Sequence, residues 1–133
     1  MAKALLDTNI ILRYLRNDDA FLSPKAKKFF DLAQNGQLEL YIDEIVIAEV
    51  IWVNKSVYKA RPLVTLKTIQ DLLSFNWIKN PRKQIILSAL SLAISNPSLN
   101  YVDCWLYCLS KEENLPLQTF DQKLKHLKSP HTR

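Results

Sequence analysis

Short apolar segments alternate with longer amphipathic segments along the chain, and this alternation predicts β-strands followed by α-helices. Because strands and helices alternate, we expect an α/β fold, a three-layer α/β/α sandwich around a mainly parallel sheet. Phe75–Ile78 has the length of a short edge strand. The four segments with the character of short strands are Ala2–Asp7, Leu38–Ile42, Phe75–Ile78 and Leu115–Phe120.

The segments between and after these strands have helical periodicity, and several carry end signals. Ser23-Pro24 predicts a helix start, Gly36 predicts the end of that helix, and Asp43 predicts the N-cap of the next one. The helix after Asp43 is apolar around nearly its whole circumference, so we expect it to be buried. The predicted helices are Thr8–Leu15, Lys25–Gln34, Glu44–Tyr58, Pro62–Leu73, Pro81–Ile94, Tyr101–Glu113 and Gln122–Leu127.

The length of 133 residues fits one domain. We expect that domain to cover residues 1–128, followed by a loose tail over 129–133. Apolar runs are broken by charge well short of the ~20 residues that a membrane span needs. The first apolar stretch contains Asp7 and lacks a small-residue cleavage site, so it predicts a strand and not a signal peptide. The expected compartment is the cytoplasm, without a membrane partner.

Composition narrows the function classes. The chain contains one glycine, so it cannot form the glycine-rich phosphate loops of the two common nucleotide-binding motifs. The net charge of +5 permits a polyanionic partner without proving one. Cys104 and Cys108 lie four residues apart in one predicted helix, which favours reduced thiols in or near the core. A metal pair stays open, but it needs more soft ligands, and His126 and His131 lie far off in the sequence.

Four acids interrupt apolar stretches, where an unpaired charge is costly to bury. Asp7 and Asp121 could each cap the helix that follows, and Asp103 could complement the dipole in the first turn of its helix. Glu49 lies about two turns into its helix, which is too deep for capping. A buried ion pair between Glu49 and a basic residue from elsewhere remains open.

The acids have a further interpretation when they are taken together. Asp7 and Asp121 each follow a predicted strand, and the carboxyl ends of parallel strands are where α/β sheets bind ligands. Converging carboxylates repel each other unless a cation compensates. Oxygen ligands without convergent His or Cys favour Mg²⁺ or Mn²⁺ over zinc. Such clusters hydrolyse phosphodiesters with a metal-activated water, so the pattern indicates a metal-dependent nuclease.

At this point the sequence resembles the PIN-domain ribonucleases, and among them the VapC-type toxins of bacterial toxin–antitoxin pairs. The resemblance covers nearly the whole chain, in order and with suitable spacing. The opening motif, an Asp at the end of the first strand followed by Thr-Asn, is the most specific part. The segments that carry the resemblance are Leu5–Ile11, Ile47–Val50, Tyr101–Trp105 and Leu117–Leu124.

The resemblance implies a four- or five-stranded parallel sheet and endonucleolytic cleavage of RNA with Mg²⁺ or Mn²⁺. It implies that Asp7 and Asp103 ligate metal directly, while Glu49 and Asp121 complete the catalytic cluster directly or through water. The remaining matches, Asn9 and Thr119, would support the ligands, with Thr119 bonding an acid or a water.

The third motif departs from the family pattern, because Cys104 and Trp105 stand where small residues often follow the Asp. The departure removes no acid, so we expect an active enzyme. A toxin would be a homodimer whose pocket is covered by a cognate antitoxin. The expected contact regions are the Lys25–Gln34 and Val64–Leu73 helices, with Trp52 and Trp77 nearby. Two alternatives stay open: a PIN-like RNA-processing nuclease outside a toxin system, and a non-catalytic RNA-binding or scaffold module.

Overall fold

A computed structural model describes residues 1–127 and confirms the α/β class with a parallel sheet. The chain divides into two compact units, Met1–Lys83 and the part from Gln84 onward. The predicted boundary at residue 128 and the predicted tail over 129–133 lie outside the described residues. The elements are β1 (Ala2–Leu5), α1 (Thr8–Arg16), α2 (Leu22–Gln34), β2 (Leu38–Tyr41), α3 (Glu44–Ser56), α4 (Pro62–Ser74), β3 (Ile78–Lys79), α5 (Lys83–Ser95), α6 (Tyr101–Glu113) and α7 (Gln122–Lys125).

The sheet of the first unit has the strand order β1-β2-β3, and both pairings are parallel. Leu5 pairs with Tyr41, and Tyr41 pairs with Lys79, so one row of residues crosses the sheet at its carboxyl end. The ladder continues one residue further, where the backbone N–H of Leu6 donates to Tyr41 at 3.0 Å. All three strands therefore end at the same level, which we call the carboxyl edge.

The predicted strand over Leu115–Phe120 is wrong, and the described part of the sheet has three strands instead of four or five. Asn114 ends α6 in the left-handed conformation, with φ of 54°. The chain then folds back on the end of the helix. The N–H of Leu115 donates to the carbonyl of Ser110, and the Ser110 hydroxyl donates to the carbonyl of Leu115. Pro116 has no N–H to offer a ladder. The segment stays in irregular structure, and the Phe120 side chain is 98% exposed.

Two elements begin at other residues than the sequence predicts, and in each case a local hydrogen bond explains the difference. The strand expected over Phe75–Ile78 is instead Ile78–Lys79, because the N–H of Ile78 closes a turn onto the carbonyl of Phe75 at 3.2 Å. Helix α2 begins before the expected Ser23-Pro24 pair, since the Asp19 carboxylate accepts hydrogen bonds from the backbone N–H of Phe21 and Leu22. Gly36, with φ of +81°, follows the end of α2 as predicted.

An aromatic cluster holds α1 and α2 against the sheet. Phe30 of α2 is 1% exposed and stacks on Tyr14 of α1 with ring centroids 3.7 Å apart. The ring of Trp77, just before β3, meets Phe30 edge-on at 6.4 Å. The fully buried aliphatic side chains of this core come from each layer of the unit and include Ile11, Leu40, Ile47, Val50, Ile69, Leu73 and Ile78.

A second cluster ties α1 to the end of α3. The guanidinium of Arg16 lies 3.6 Å from the ring centroid of Tyr58, which follows α3. Arg13 donates to the Tyr58 hydroxyl at 2.5 Å, and both arginines form ion pairs with Asp18. The cation–π contact and the hydrogen bond to Tyr58 therefore connect α1 to the end of α3, while the ion pairs with Asp18 hold the two arginines in place.

The prediction that α3 is buried all round is wrong. Ile47 and Val50 are buried, whereas Ile45 is 74% exposed and Trp52 is 63% exposed. Helix α3 packs against α1 and α4, and only the face that meets these helices is covered. In the second unit, α5 buries Ile86 and Leu90. None of the helices in residues 1–127 has the length and apolar character that a bilayer crossing requires.

We expect Phe30→Ala to lower the free energy of unfolding by about 3–5 kcal/mol, because it removes a fully buried ring and leaves a cavity. Phe29→Ala is the matched control, since Phe29 is partly exposed on the same helix. Its loss should be below about 1 kcal/mol. Chemical denaturation of both variants measures the difference, and equal losses would contradict the packing described here.

Candidate active site

Asp7 lies at the carboxyl end of β1 and caps α1, as its capping interpretation predicted. Its Oδ1 atom accepts a hydrogen bond from the backbone N–H of Ile10 at 3.0 Å. Its Oδ2 atom has no hydrogen bond within residues 1–127, and the side chain is exposed. Asn9 follows in the first turn of α1 and is also exposed. One oxygen of Asp7 therefore fixes the helix start while the other stays available to a ligand.

Glu49 lies midway along α3 and is exposed, so the expectation of a buried carboxylate is wrong. It forms no hydrogen bond or ion pair with any residue in the described part of the chain, which also excludes the buried ion pair there. Its helical neighbours at i−4 and i+3 are Ile45 and Trp52, both exposed. Glu49 is therefore a solvated carboxylate in an apolar surface, without a capping or pairing role.

The other two acids belong to the second unit. Asp103 is half-buried in the first turn of α6, and its N–H donates to the N-cap Asn100 at 2.9 Å. Asp121 caps α7, with Oδ1 accepting from the N–H of Lys123 at 2.8 Å. Thr119 Oγ1 accepts from the N–H of Asp121 at 3.1 Å. Thr119 thus supports the backbone of an acid, and Asp121 has a structural role.

Each unit supplies two of the four acids: Asp7 and Glu49 in the first, Asp103 and Asp121 in the second. Among residues 1–127, no group of three or more His, Cys, Asp and Glu side chains forms that could hold a metal ion. The donor chemistry still fits a hard divalent cation, because all four are carboxylates. Their assembly into one cluster stays a prediction.

The first unit contains a pocket at the carboxyl edge of the sheet. We call it the carboxyl-edge pocket, and it is lined by Leu5, Tyr41–Glu44 and Lys79–Arg82. Its volume is about 380 Å³, within the range of small-molecule sites. It lies where parallel sheets bind ligands, and the chain continues from Leu5 in its wall to Asp7, two residues beyond the end of β1.

A hydrogen-bonded network forms one side of this pocket. The Asn80 amide donates to the Ile42 carbonyl at 2.8 Å and to Glu44 at 2.9 Å, and it accepts from the N–H of Arg82 at 2.7 Å. Arg82 in turn donates to Glu44 at 3.1 Å. Partial burial alone would raise the pKa of Glu44, but the hydrogen bond from Asn80 and the bond and charge of Arg82 hold it below its ordinary value.

Lys79 also lines the pocket, and a second basic residue, Lys83, directly follows the lining segment along the chain. Lys79 is half-buried at the end of β3, and Lys83 follows at the start of α5. Lys83 donates to the Phe75 carbonyl at 2.8 Å. Burial and, to a smaller extent, the charge of Lys79 lower the pKa of the Lys83 ammonium. The two ammonium groups therefore repel each other at the edge of the sheet.

A family model described as the PIN domain matches residues 4–129. No curated protein and no solved structure gives a significant match to the chain. The chain belongs to the PIN-domain family. PIN domains are generally nucleases, act on nucleic acids and typically use divalent metals, so family membership supports a nuclease function.

The carboxyl-edge pocket of this PIN domain was not predicted from the sequence. One signal could have indicated it: Leu5, Tyr41 and Lys79 each stand within two residues of the end of a predicted strand. The register that aligns them depends on pairing between distant segments.

The two cysteines of the PIN domain are free thiols on α6. Cys104 is buried and Cys108 is half-buried, which confirms the expectation of core or near-core thiols. Burial, with smaller contributions from Cys108 and Asp103, raises the pKa of Cys104 to about 12. The thiolate is the form that binds metals, so burial disfavours a metal role for Cys104.

We expect Asn80→Ala to lower the free energy of unfolding by about 1–3 kcal/mol, because it leaves the partners of three hydrogen bonds unsatisfied. Since the pKa of Glu44 is lowered in the folded state, the part of the free energy of unfolding that depends on ionised Glu44 is fully present above the ordinary pKa of this residue. This contribution is lost as the pH falls through the lowered, folded-state pKa of Glu44.

Denaturation of wild type and Asn80→Ala between neutral and acidic pH measures this difference. Asn76→Ala is the control, because Asn76 is exposed in the turn before β3 and has no hydrogen bond with residues 1–127. The control should stay within about 0.5 kcal/mol of wild type. If the two proteins differ in free energy of unfolding by the same amount at neutral and at acidic pH, Glu44 is not the source of the pH-dependent part.

Proposed function

We propose that this PIN domain is an endoribonuclease that cleaves RNA with Mg²⁺ or Mn²⁺, and that it is the toxin of a toxin–antitoxin pair. The observation that carries the proposal is the carboxylate of Glu49, which is exposed on α3 without a structural partner in the described part of the chain. Asp7 adds a second carboxylate with a free oxygen at the carboxyl edge. The unbonded oxygens of Glu49 and Asp7 make no hydrogen bond within residues 1–127, and carboxylate oxygens are the ligands that a hard cation prefers.

In this proposal Asp7 and Asp103 ligate the metal directly, and Glu49 and Asp121 complete the catalytic set directly or through water. A bound divalent cation supplies charge neutralisation at the phosphate and lowers the pKa of a water that serves as the nucleophile. Asn9 and Thr119 support the set, and the hydrogen bond of Thr119 to the backbone of Asp121 is consistent with that role.

RNA is proposed as the substrate because of the resemblance of the four motifs to PIN-domain ribonucleases. The net charge of +5 favours contact with a polyanion. The basic side chains beside the carboxyl-edge pocket bring part of that charge to the same edge of the sheet as Asp7. A basic rim would hold the phosphate backbone while the carboxylates hold the cation.

The toxin role implies a homodimer and a cognate antitoxin. Apolar side chains on the first unit are available for such contacts. On α2, Phe29 and Leu32 are partly exposed, and on α4 Val64 is exposed. Trp52 and Ile45 flank Glu49 on α3, so a protein that covers this surface would also cover a catalytic carboxylate. That arrangement suits an inhibitor that blocks the enzyme by binding over Glu49.

We expect wild type to cleave single-stranded RNA in Mg²⁺ or Mn²⁺ and to lose cleavage in chelator. Asp7→Asn and Glu49→Gln should each reduce the rate by about 100-fold or more, because each removes a negative charge that holds the cation. Asp31→Asn is the control: Asp31 is a carboxylate of α2 whose ion pair with Lys27 spans one helical turn. Its cleavage rate should match wild type.

Binding of Mn²⁺, followed by electron paramagnetic resonance, separates the metal site from the cleavage assay. Asp7→Asn and Glu49→Gln should bind Mn²⁺ more weakly than wild type and Asp31→Asn. Cleavage that survives in both variants would refute the assignment of the catalytic set. Intact Mn²⁺ binding in both variants would refute their roles in holding the metal.

A further inference from the structure

One cation in the carboxyl-edge pocket has no internal partner. Leu5, Tyr41 and Lys79 form a single row across the three strands, so their side chains share one face of the sheet. All three line the pocket. Lys79 is half-buried, and its ammonium group makes no hydrogen bond or ion pair with residues 1–127.

Both acids that line the same pocket already accept at least one hydrogen bond. Glu44 accepts hydrogen bonds from Asn80 and Arg82. Asp43 caps α3, with Oδ1 accepting from the N–H of Ile45 at 2.9 Å, where the positive end of the helix dipole offsets its charge. Among the charged side chains that line the pocket, Lys79 is the one that makes no hydrogen bond or ion pair with residues 1–127, so the matching ligand group is an anion.

Neighbouring charges strengthen this preference. The pKa of Lys83 is lowered by burial and by the charge of Lys79, which indicates that the two ammonium groups repel each other. A single negative charge beside Lys79 would relieve that repulsion. Near Tyr41, Lys3 adds a positive charge with its Nζ 5.9 Å from the ring centroid, and Glu39 adds a negative charge that accepts a hydrogen bond from the Tyr41 hydroxyl at 3.5 Å.

The remaining walls suit a base or a sugar. The ring of Tyr41, the side chain of Leu5 and the ring of Pro81 are apolar surfaces at the pocket. Aromatic rings beside cations are the usual platforms for unstacked bases of single-stranded nucleic acids. The volume of about 380 Å³ places the pocket at the size of a site for a small ligand such as one nucleotide.

We propose that the carboxyl-edge pocket binds one nucleotide of the RNA chain, with Lys79 contacting its phosphodiester group and Tyr41 contacting its base or sugar. The inference rests on the proposed function, because it takes RNA as the substrate. Leu5 lines the pocket and precedes Asp7 by two residues, so the bound nucleotide would lie beside the carboxylate at the end of β1. Lys79 is a positioning residue here and does not act on the reacting bond.

The test measures RNA binding by the full chain in chelator, where metal-dependent cleavage is silent. A fluorescently labelled single-stranded RNA of roughly 12 nucleotides is titrated at several salt concentrations and followed by anisotropy. Lys79→Ala should weaken binding about three- to tenfold and reduce the slope of log affinity against log salt by about 0.7, the value for one phosphate of a single strand. Lys79→Arg should restore the slope.

Lys67→Ala is the matched control, because Lys67 is exposed on α4 and forms no ion pair with residues 1–127. It should leave affinity and slope unchanged. A Lys79→Ala slope equal to that of wild type, in a variant with a wild-type circular dichroism spectrum, would overturn the proposal. Adenosine 5′-monophosphate that binds as tightly as the RNA would also overturn it, in favour of a free nucleotide as the occupant.

The cleavage assay separates this inference from the proposed function. If wild type cleaves RNA and Lys79→Ala binds it normally, the pocket assignment fails and the nuclease function stands. If wild type binds RNA with the predicted Lys79 dependence but does not cleave it in Mg²⁺ or Mn²⁺, the pocket assignment stands and the nuclease proposal fails. Tyr41→Leu, which removes the aromatic ring, should weaken binding without changing the salt slope.

Discussion

Parallel pairing of β2 with both of its neighbours is the interaction on which the rest of the first unit depends. It aligns Leu5, Tyr41 and Lys79 in one row and brings three strand ends to one edge of the sheet. The pocket exists because these ends are level, and Asp7 reaches the same edge because β1 stops there. A shift of one residue in the pairing would turn these side chains to the opposite face. The register therefore matters more to the candidate site than any single contact within it.

Helix caps and helix ends were the most predictable features of the chain. Asp7, Asp43 and Asp121 cap the helices that follow them, and Asn114 ends α6. These signals act over three or four residues, so the local sequence contains all of their partners. The α/β class was predictable for a similar reason, because it follows from the alternation of short apolar and longer amphipathic segments.

Features that depend on distant partners were not predictable. Leu115–Phe120 has the composition of a strand, but a strand needs a neighbour, and the end of α6 engages Leu115 instead. The apolar composition of α3 could not show which face would meet other helices, so the exposure of Glu49 was missed. The four acids were predicted as the site from the sequence, and their assembly stays a prediction, whereas the pocket in the first unit depends on strand register and was not predicted.

The position of β1 at the margin of the sheet has a consequence for solubility. One side of β1 pairs with β2, and no strand in residues 1–127 pairs with its other side. An edge strand with open backbone groups is a template for uncontrolled association with other chains. The strand is only four residues long and carries the exposed Lys3 in its interior. A strand this short that also carries a charge is a poor template for such association, so these two features oppose aggregation of the first unit.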